Sequence, residues 1–326
     1  MKRACHCVLL AVLAAEALIV GQGPEVKKVL ADVRAALGGD ANLEGVKSVA
    51  VEGRLTRSMG GRSMTNDFEM AFELPDKYVK KDVMAVMGST TIARTTGFNG
   101  EGLIEVIDTP PSMGGAMTIP RMAGPGTPGM PATPETIAAQ RQALVAMNKR
   151  DFARITLGMF ATSQPVFPLE FAYGGQAEAP DGKAHVIDVK GPDGFVARLF
   201  VDTKTHLPLM LSWMDKEPMK MTIGGGPAGS GTVMIGHGPG IPADHRGTPE
   251  QAAATRRMME EQMKEMEKNR RTVEYRIFYG DYREFAGVRM PTRIQRMVDG
   301  QPTEELNLEK IKVNPKFDAK KFEVTK

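Results

Sequence analysis

The sequence predicts an α+β protein built on one strongly curved antiparallel sheet with helices on one face. Apolar residues recur at helical spacing over 25–38 and again after residue 133, and they alternate with polar residues through most of the remaining chain. The elements follow the order helix, sheet, helix, sheet. About nine to eleven strands are predicted, which is close to the upper range of an open sheet. Since no linker separates two cores, we expect a single domain over 24–326.

The first two dozen residues have the three regions of a secretory signal peptide. A basic pair comes first, Val8–Ala15 is an unbroken apolar run, and small residues follow it. The alternative is a transmembrane anchor, which needs about 20 apolar residues. This run is shorter, and an acidic residue interrupts it. We therefore predict a signal peptide at 1–23, cut after Ala17 or near Gly23, and a periplasmic product.

Both cysteines of the chain, Cys5 and Cys7, precede the apolar run. A lipoprotein-type cysteine would follow the run, so we expect no lipid on the new amino terminus. The mature chain then has no disulfide, no thiolate metal site and no cysteine nucleophile. The net charge is +3 with acids and bases nearly balanced, and no basic stripe indicates a nucleic-acid partner.

The first predicted element after the signal peptide is an amphipathic helix. It covers residues 25–38, and the pair Gly38-Gly39 ends it. The segments 49–55 and 68–74 then alternate apolar and polar residues, which predicts antiparallel strands with one apolar face. Weaker strands continue through 78–95 and 101–108, around a turn at Asn99-Gly100.

The middle of the chain contains a low-complexity loop, a helix and two hairpins. The loop at 109–134 is rich in proline, glycine and methionine. A helix is predicted from Thr133, with Pro134 at its first helical position, and Asn148–Arg150 is a point at which this helix could divide in two. The segment 184–214 predicts a pair of tight hairpins.

A mobile insertion is predicted at 216–271, because its glycine-rich first part cannot form a packed core. A capping box at Thr248 predicts a charged helix over 249–271, and strands return over 272–326. We interpret the methionines of this helix as a narrow apolar stripe that docks on the sheet, with a soft-metal or lipid-facing surface as the alternative. They are Met258, Met259, Met263 and Met266.

The last third of the chain carries turn motifs that resemble a known family. The tail motif contains Asp281-Tyr282-Arg283, Gly287-Val288, Pro291, Val313-Asn314, Asp318 and Phe322. The hairpin motif D-x-x-T-x-L-P contains Asp202, Thr205, Leu207 and Pro208. Both are similar to those of LolA-like periplasmic proteins, relatives of the outer-membrane lipoprotein-sorting chaperones LolA and LolB. The resemblance covers most of the chain outside 109–134 and 216–271.

This resemblance implies a half-open barrel in which helices cover the concave apolar face of the sheet. A cavity there would accept a lipid, a lipoprotein acyl chain or another hydrophobic ligand, because burial contributes about 0.8 kcal/mol per methylene. The predicted lining residues are Phe68, Met70, Phe72, Leu199, Leu209 and Leu211. The alternative is that these residues are only the filled core of a half-buried sheet.

We therefore predict an exported, non-enzymatic carrier or chaperone that needs no cofactor and makes transient contact with a membrane. The alternative is a structural or signalling protein that binds an envelope protein partner through its sheet. The histidines after the signal segment are His185, His206, His237 and His245. None stands in the spacing of a zinc site, so no metal is predicted. Ser230 lies among glycines without the strand-to-helix setting of a nucleophile elbow.

Overall fold

The computed structural model describes residues 23–59, 62–87, 90–108, 134–179, 182–217, 221–222, 232–233, 261, 265 and 268–325. The predicted signal peptide lies outside these ranges, as do nearly all of the loop 109–134 and most of the insertion 216–271. The methionines of the predicted helix 249–271, together with His237, His245 and Ser230, also lie outside the described residues.

The described residues contain fourteen strands, and twelve of them form one antiparallel sheet. The twelve are β1 (Ser48–Met59), β2 (Arg62–Glu73), β3 (Lys77–Met87), β4 (Thr90–Asn99), β5 (Gly102–Asp108), β6 (Glu170–Ala179), β7 (Gly182–Lys190), β8 (Val196–Asp202), β9 (Pro208–Lys216), β12 (Thr272–Phe285), β13 (Val288–Val298) and β14 (Gln301–Val313). The short strands β10 (Met221–Thr222) and β11 (Thr232–Val233) form a separate pair. The large open antiparallel sheet that the sequence predicts is therefore confirmed.

The strand order across the sheet is β5-β4-β3-β2-β1-β14-β13-β12-β9-β8-β7-β6, and the sheet is not closed. The first and last strands meet in its middle, where Val49 of β1 lies opposite Val313 of β14. The sheet exceeds the predicted count of strands, because β6 has no counterpart among the predicted segments and the weak pattern over 78–95 belongs to two strands, β3 and β4, which form a hairpin.

Helix α1 (Pro24–Leu37) forms where the sequence predicts it and buries its apolar stripe. The buried residues are Val26, Val29, Leu30, Val33 and Leu37. Gly38 ends the helix with a φ of 132°, and a Cβ atom at this position would lie 2.2 Å from the carbonyl oxygen of Gly287. A glycine is therefore required at this point. A short helix, α2 (Asp40–Gly45), follows.

Helix α3 (Pro134–Phe160) runs through Asn148–Arg150 without a break, so the division considered from the sequence does not occur. Asn148 is buried, and its side-chain Nδ2 donates a hydrogen bond to the carbonyl oxygen of Leu144, one turn earlier in the same helix. The Lys149 side chain forms an ion pair with Glu101 in the turn between β4 and β5. The polar side chains that suggested a helix break from the sequence thus find hydrogen-bond and ion-pair partners within the helix and in the sheet.

Helices α1 and α3 pack on the same face of the sheet, which we call the inner face. Their buried residues form one continuous core with the inward side chains of the strands, and α3 contacts β4, β5, β9 and β13. The opposite face is the outer face. The predicted covering of a concave apolar face stays a prediction.

The carboxyl-terminal tail packs on the outer face. Phe322 is buried against Ala71, Val79 and Ile104. Thr325 then continues along the edge strand β5, where its backbone N–H donates to the carbonyl oxygen of Leu103 at 2.9 Å. The tail thereby covers part of an edge that would otherwise expose unpaired backbone groups.

Candidate functional site

The contact between α3 and the inner face has an aromatic centre. The Phe152 ring of α3 is fully buried among three rings of the sheet. Its ring centroid lies 5.8 Å from that of Phe72, 5.5 Å from Tyr78 and 5.6 Å from Phe98. These distances are typical of attractive aromatic pairs. One helical side chain therefore joins α3 to three neighbouring strands, β2, β3 and β4.

Two tyrosines of β12 hold the second half of α3 through backbone groups of the helix. The Tyr279 hydroxyl donates to the carbonyl oxygen of Arg154 at 2.7 Å, and the Tyr282 hydroxyl to that of Gly158 at 3.1 Å. A Cβ atom at Gly158 would lie 2.1 Å from the Tyr279 ring. The glycine in the helix interior is explained by this close approach of helix and sheet.

Beside the aromatic centre, the inner face carries a group of charged side chains that we call the ionic cluster. Its members are Arg57, Lys80, Asp82, Asp151, Arg154, Arg296 and Glu304. Their side chains are only 13–26% exposed. Asp151 and Arg154 belong to α3, and the other five belong to the sheet. The cluster therefore lies between the helix and the sheet.

Within the sheet, Arg57 holds two carboxylates. Its Nη2 lies 2.9 Å from Asp82 Oδ2, and its Nε lies 2.9 Å from Glu304 Oε1. The other oxygen of Glu304 lies 3.7 Å from Arg296 Nε. Both carboxylates of the sheet are therefore engaged mainly with Arg57.

The Asp151 side chain of α3 points toward the sheet and forms an ion pair with Lys80. Its Oδ2 lies 3.5 Å from Lys80 Nζ, and its Oδ1 lies 3.2 Å from Arg154 Nη1. Burial by itself would raise the pKa of Asp151, but the charges of Lys80, Arg296 and Arg154 outweigh it and hold this pKa well below its ordinary value. Asp151 is therefore an anion that several cations share.

Glu304 and Arg296 are also held in their charged forms. Burial would raise the pKa of Glu304, but Arg296 and Arg57 lower it. Burial would lower the pKa of Arg296, but Asp151 and Glu304 raise it. The Tyr78 hydroxyl next to the cluster is fully buried, which raises its pKa and keeps it neutral.

Trp213, the one tryptophan of the chain, reports on the position of α3. The guanidinium carbon of Arg154 lies 4.1 Å from the centroid of the Trp213 ring, within the range of a cation–π contact. On the sheet, the ring stacks on Tyr275 with a centroid distance of 5.3 Å. Any movement of α3 away from β9 must change the surroundings of this indole.

Five of the six predicted lining residues lie in this inner core. Each of them is at most 3% exposed, and all belong to the core that includes the helices. They are Phe68, Met70, Phe72, Leu199 and Leu211. Phe72 contacts Phe152 and also Phe160 of α3, the latter at a centroid distance of 6.0 Å. The inner face is thus covered by α3 at Phe72, and the other four side chains are buried in the core that both helices share with the sheet.

Leu209 lies apart from the other five. Phe200 pairs with Met210 and Val201 with Pro208, so Leu209 is the extra residue of a β-bulge. It is 39% exposed, whereas Leu211 is fully buried. The bulge shifts the alternation by one position, and the sequence pattern that placed Leu209 and Leu211 on one face does not reveal it.

Sequence reasoning missed the ionic cluster. A signal was present, because its sheet residues occupy inward positions of strands whose neighbouring inward positions are apolar. Arg57 follows Leu55 by two residues, Lys80 follows Tyr78, and Glu304 precedes Leu306 by two. A charged residue at a strand position whose side chain points to the apolar face is buried, and a buried charge needs an oppositely charged partner.

Two of the cavities lined by the described residues lie outside the contact between α3 and the inner face. One, of 430 Å³, lies on the outer face against the carboxyl-terminal tail, with Ala71, Val79 and Ile104 in its wall and Lys81, Lys320 and Lys321 around it. The other, of 440 Å³, lies where α2 meets the end of α3, near Leu43, Leu74 and Phe160.

Neither a metal site nor a membrane span is found in the part of the chain that the structure describes. No group of three histidine, cysteine, aspartate or glutamate side chains there could hold a metal ion. No helix in the same ranges is both long and apolar enough to cross a membrane. Of the two histidines in these ranges, His185 Nδ1 lies 3.1 Å from the Tyr173 hydroxyl, and His206 occupies the turn before β9.

No family model matches the chain, and no curated protein matches it. Similar solved structures include a DUF1329 family protein from Desulfovibrio piger, with 9% identity, a TM-score of 0.44, and coverage of 91% of this chain and 97% of that one. A LolA superfamily protein from Nitrosomonas europaea has 8% identity and a TM-score of 0.43, covering 91% of this chain and 96% of that one. A domain from Vibrio parahaemolyticus, named for outer membrane lipoprotein sorting, has 7% identity and a TM-score of 0.41, covering 90% of this chain and 94% of that one.

One of these structures is named for the LolA superfamily and another for outer membrane lipoprotein sorting. All three identities to this chain are below ten per cent.

Proposed function

We propose that the chain binds a long apolar ligand, such as a lipid or a lipoprotein acyl chain, between α3 and the inner face of the sheet. The observation that carries this proposal is the aromatic contact of Phe152 with Phe72, Tyr78 and Phe98. An acyl chain that replaces α3 against this surface keeps the surface out of water and gains about 0.8 kcal/mol per buried methylene.

Helix α3 is suited to move, because its two halves are attached very differently. In the first half, 134–147, Val145 is the one buried residue among those whose burial is described. In the second half, residues such as Phe152, Leu157 and Met159 are buried in the core. A ligand that replaces the contacts of the second half therefore releases the whole helix from the sheet, since most of the stability of a helix in a folded protein comes from its tertiary packing.

In this proposal the protein is an exported carrier or chaperone in the periplasm, without a cofactor and without catalytic activity. The predicted signal peptide at 1–23 and the resemblance of the last third to LolA-like proteins support that setting. The ligand-binding part is a single domain over 24–326, and delivery of its cargo involves transient contact with a membrane and no nucleic acid.

The test uses the mature protein purified from its host. Organic extraction followed by mass spectrometry is expected to release a bound lipid, and a fluorescent acyl probe is expected to bind saturably. Binding should change the emission of Trp213, because α3 carries Arg154 away from the indole ring. If no lipid is extracted, the probe does not saturate and Trp213 emission stays constant, the proposal is wrong.

Leu211 and Leu209 provide a matched pair of variants on one strand. Leu211→Ala shortens a fully buried inner side chain and should weaken probe binding, whereas Leu209→Ala alters the exposed bulge and should not. Thermal melts establish that both variants are folded. Weaker binding by Leu209→Ala alone would place the ligand elsewhere.

One observation favours a second function, the binding of an envelope protein partner through the sheet. The inner face is filled at the five predicted positions, as expected of a protein without a ligand cavity. The outer face, in contrast, carries an apolar cluster of Val186, Phe200 and Met210, and Met214, further along the same strand as Met210, is exposed. If the protein binds a partner in this way, the purified protein should be folded, should release no lipid on extraction and should not bind the acyl probe.

A further inference from the structure

The charges of the ionic cluster come from both the helix and the sheet, and the helix supplies one anion, Asp151, and one cation, Arg154, which pair with each other. The sheet supplies three cations, Arg57, Lys80 and Arg296, and two carboxylates, which are both engaged by Arg57. Among the described residues, the carboxylate within ion-pair distance of Lys80 is Asp151, and it comes from α3. Without α3 the sheet would keep a cation with no partner beside an apolar surface.

An unpaired buried charge is costly, whereas a paired one is tolerated. If α3 moves away to admit a ligand, Lys80 loses Asp151, whereas Arg296 keeps the Glu304 carboxylate 3.7 Å away, so a neutral ligand leaves Lys80 without a paired anion. A ligand that carries its own anionic group restores the pairing. The cluster would therefore select ligands by charge, through the penalty on those that lack an anion.

We propose that the ionic cluster is the head-group subsite for an anionic amphiphile, and that Asp151 occupies this subsite when no ligand is bound. This inference rests on the proposed function and adds the chemical class of the ligand. The shared chemistry is a carboxylate or phosphate at the end of an apolar chain, and Lys80 with Arg296 supplies the charged hydrogen-bond donors.

The geometry accommodates such a ligand along β3. Lys80 stands two residues after Tyr78 on the same strand, so the two side chains lie on the inner face about 7 Å apart. An anion at Lys80 would thus place the first methylenes of its chain over Tyr78, and the rest beside Phe72 and Phe98. The cluster side chains keep some exposure to solvent, so the head group remains close to water.

The experiment compares charged and neutral ligands of equal chain length on the mature protein. The probes are palmitate, its methyl ester, and a single-chain lysophosphatidic acid, with binding followed by calorimetry and by Trp213 emission. Wild type is expected to bind palmitate about tenfold more tightly than the ester, the difference produced by one charge-assisted hydrogen bond. The two acids distinguish a carboxylate head group from a phosphate.

The variants separate the head-group subsite from the rest of the protein. Lys80→Gln should lose the preference for the acid, and Lys80→Arg should retain it. Lys81→Gln, on the opposite face of the same strand and at the wall of the outer cavity, should behave as wild type. Asp151→Asn removes the internal anion and should tighten palmitate binding several-fold more than ester binding. Melting curves show whether each variant is folded.

The outcomes distinguish this inference from the function on which it rests. Equal affinity for palmitate and its ester in both wild type and Lys80→Gln would overturn the head-group subsite while the apolar site stands. A preference lost in Lys81→Gln instead of Lys80→Gln would move the site to the outer cavity and overturn it as well. Failure of every probe to bind would refute the proposed function itself.

Discussion

Replacement of Phe152 by alanine removes the side chain that joins α3 to three strands at once. The ring is fully buried and lies 5.5–5.8 Å from three sheet rings, Phe72, Tyr78 and Phe98. Truncation of a buried phenylalanine lowers the free energy of unfolding by about 3–5 kcal/mol, because a cavity adds to the lost transfer energy. At about 2–4 °C per kcal/mol, the melting temperature should fall by roughly 10 °C.

The assay is guanidinium unfolding of the mature protein, followed in parallel by far-ultraviolet circular dichroism and by Trp213 emission. The first signal reports on the sheet and helices together, and the second on the contact between α3 and β9. Because the ring lies in the core that α3 shares with the sheet, both transitions should shift together to lower denaturant.

Phe317→Ala is the matched control. Phe317 is half-buried in the tail on the outer face, where its ring contacts that of Phe322 at a centroid distance of 5.3 Å. Its truncation should cost about 1 kcal/mol, since less apolar area is lost and no deep cavity forms. Equal losses for the two variants, or a loss below about 1 kcal/mol for Phe152→Ala, would refute the packing of α3 that both proposals assume.

Three further predictions concern α3 and its partners. The pKa of Asp151 is lowered from 3.8 in the folded state, so the stabilisation that its charge provides is fully present above pH 3.8 and is lost as the pH falls through the lower folded pKa. Urea unfolding at about pH 7 and about pH 2 should therefore show that Asp151→Asn loses less unfolding free energy in acid than wild type does. An equal loss of unfolding free energy in both proteins would contradict this. Gly158→Ala should destabilise the protein by about 1–3 kcal/mol, against the usual gain of an alanine in a helix, because its methyl group meets the Tyr279 ring; a rise in melting temperature would show that the helix stands further from the sheet. Tyr279→Phe should lower the free energy of unfolding by about 0.5–1.5 kcal/mol, because its hydroxyl no longer reaches the carbonyl oxygen of Arg154; a chemical denaturation curve superimposable on that of wild type would count against this hydrogen bond.

Much of the fold was predictable because it depends on short-range patterns. The buried stripe of α1 contains the residues that helical spacing indicates, from Val26 to Leu37. The antiparallel strands over 49–55 and 68–74 are confirmed and pair with each other along β1 and β2. These features follow from the periods of helix and strand, which neighbouring residues display directly.

The candidate site was predictable only in its apolar part. Strand alternation placed Phe72 and Leu211 on an apolar face, and both are fully buried, while their contact with a ligand stays a prediction. The same alternation failed at Leu209, because a bulge in β9 arises from the register with β8. The ionic cluster was missed, because a charge on a strand is read as solvent-facing unless its distant partner is known.

The sequence by itself determined the period of each element, the helix end at Gly38 and the antiparallel character of the sheet, since these depend on residues a few positions apart. The tertiary structure alone decided which charges meet. Arg57 and Glu304 are 247 positions apart, and Lys80 and Asp151 are 71 apart. Their pairing depends on the hydrogen bonding of β1 with β14 and on the packing of α3 across the sheet. Neither contact can be predicted from residues that are close together in the sequence. The physical reason is that a buried charge is stabilised by whichever opposite charge the fold brings within a few ångströms.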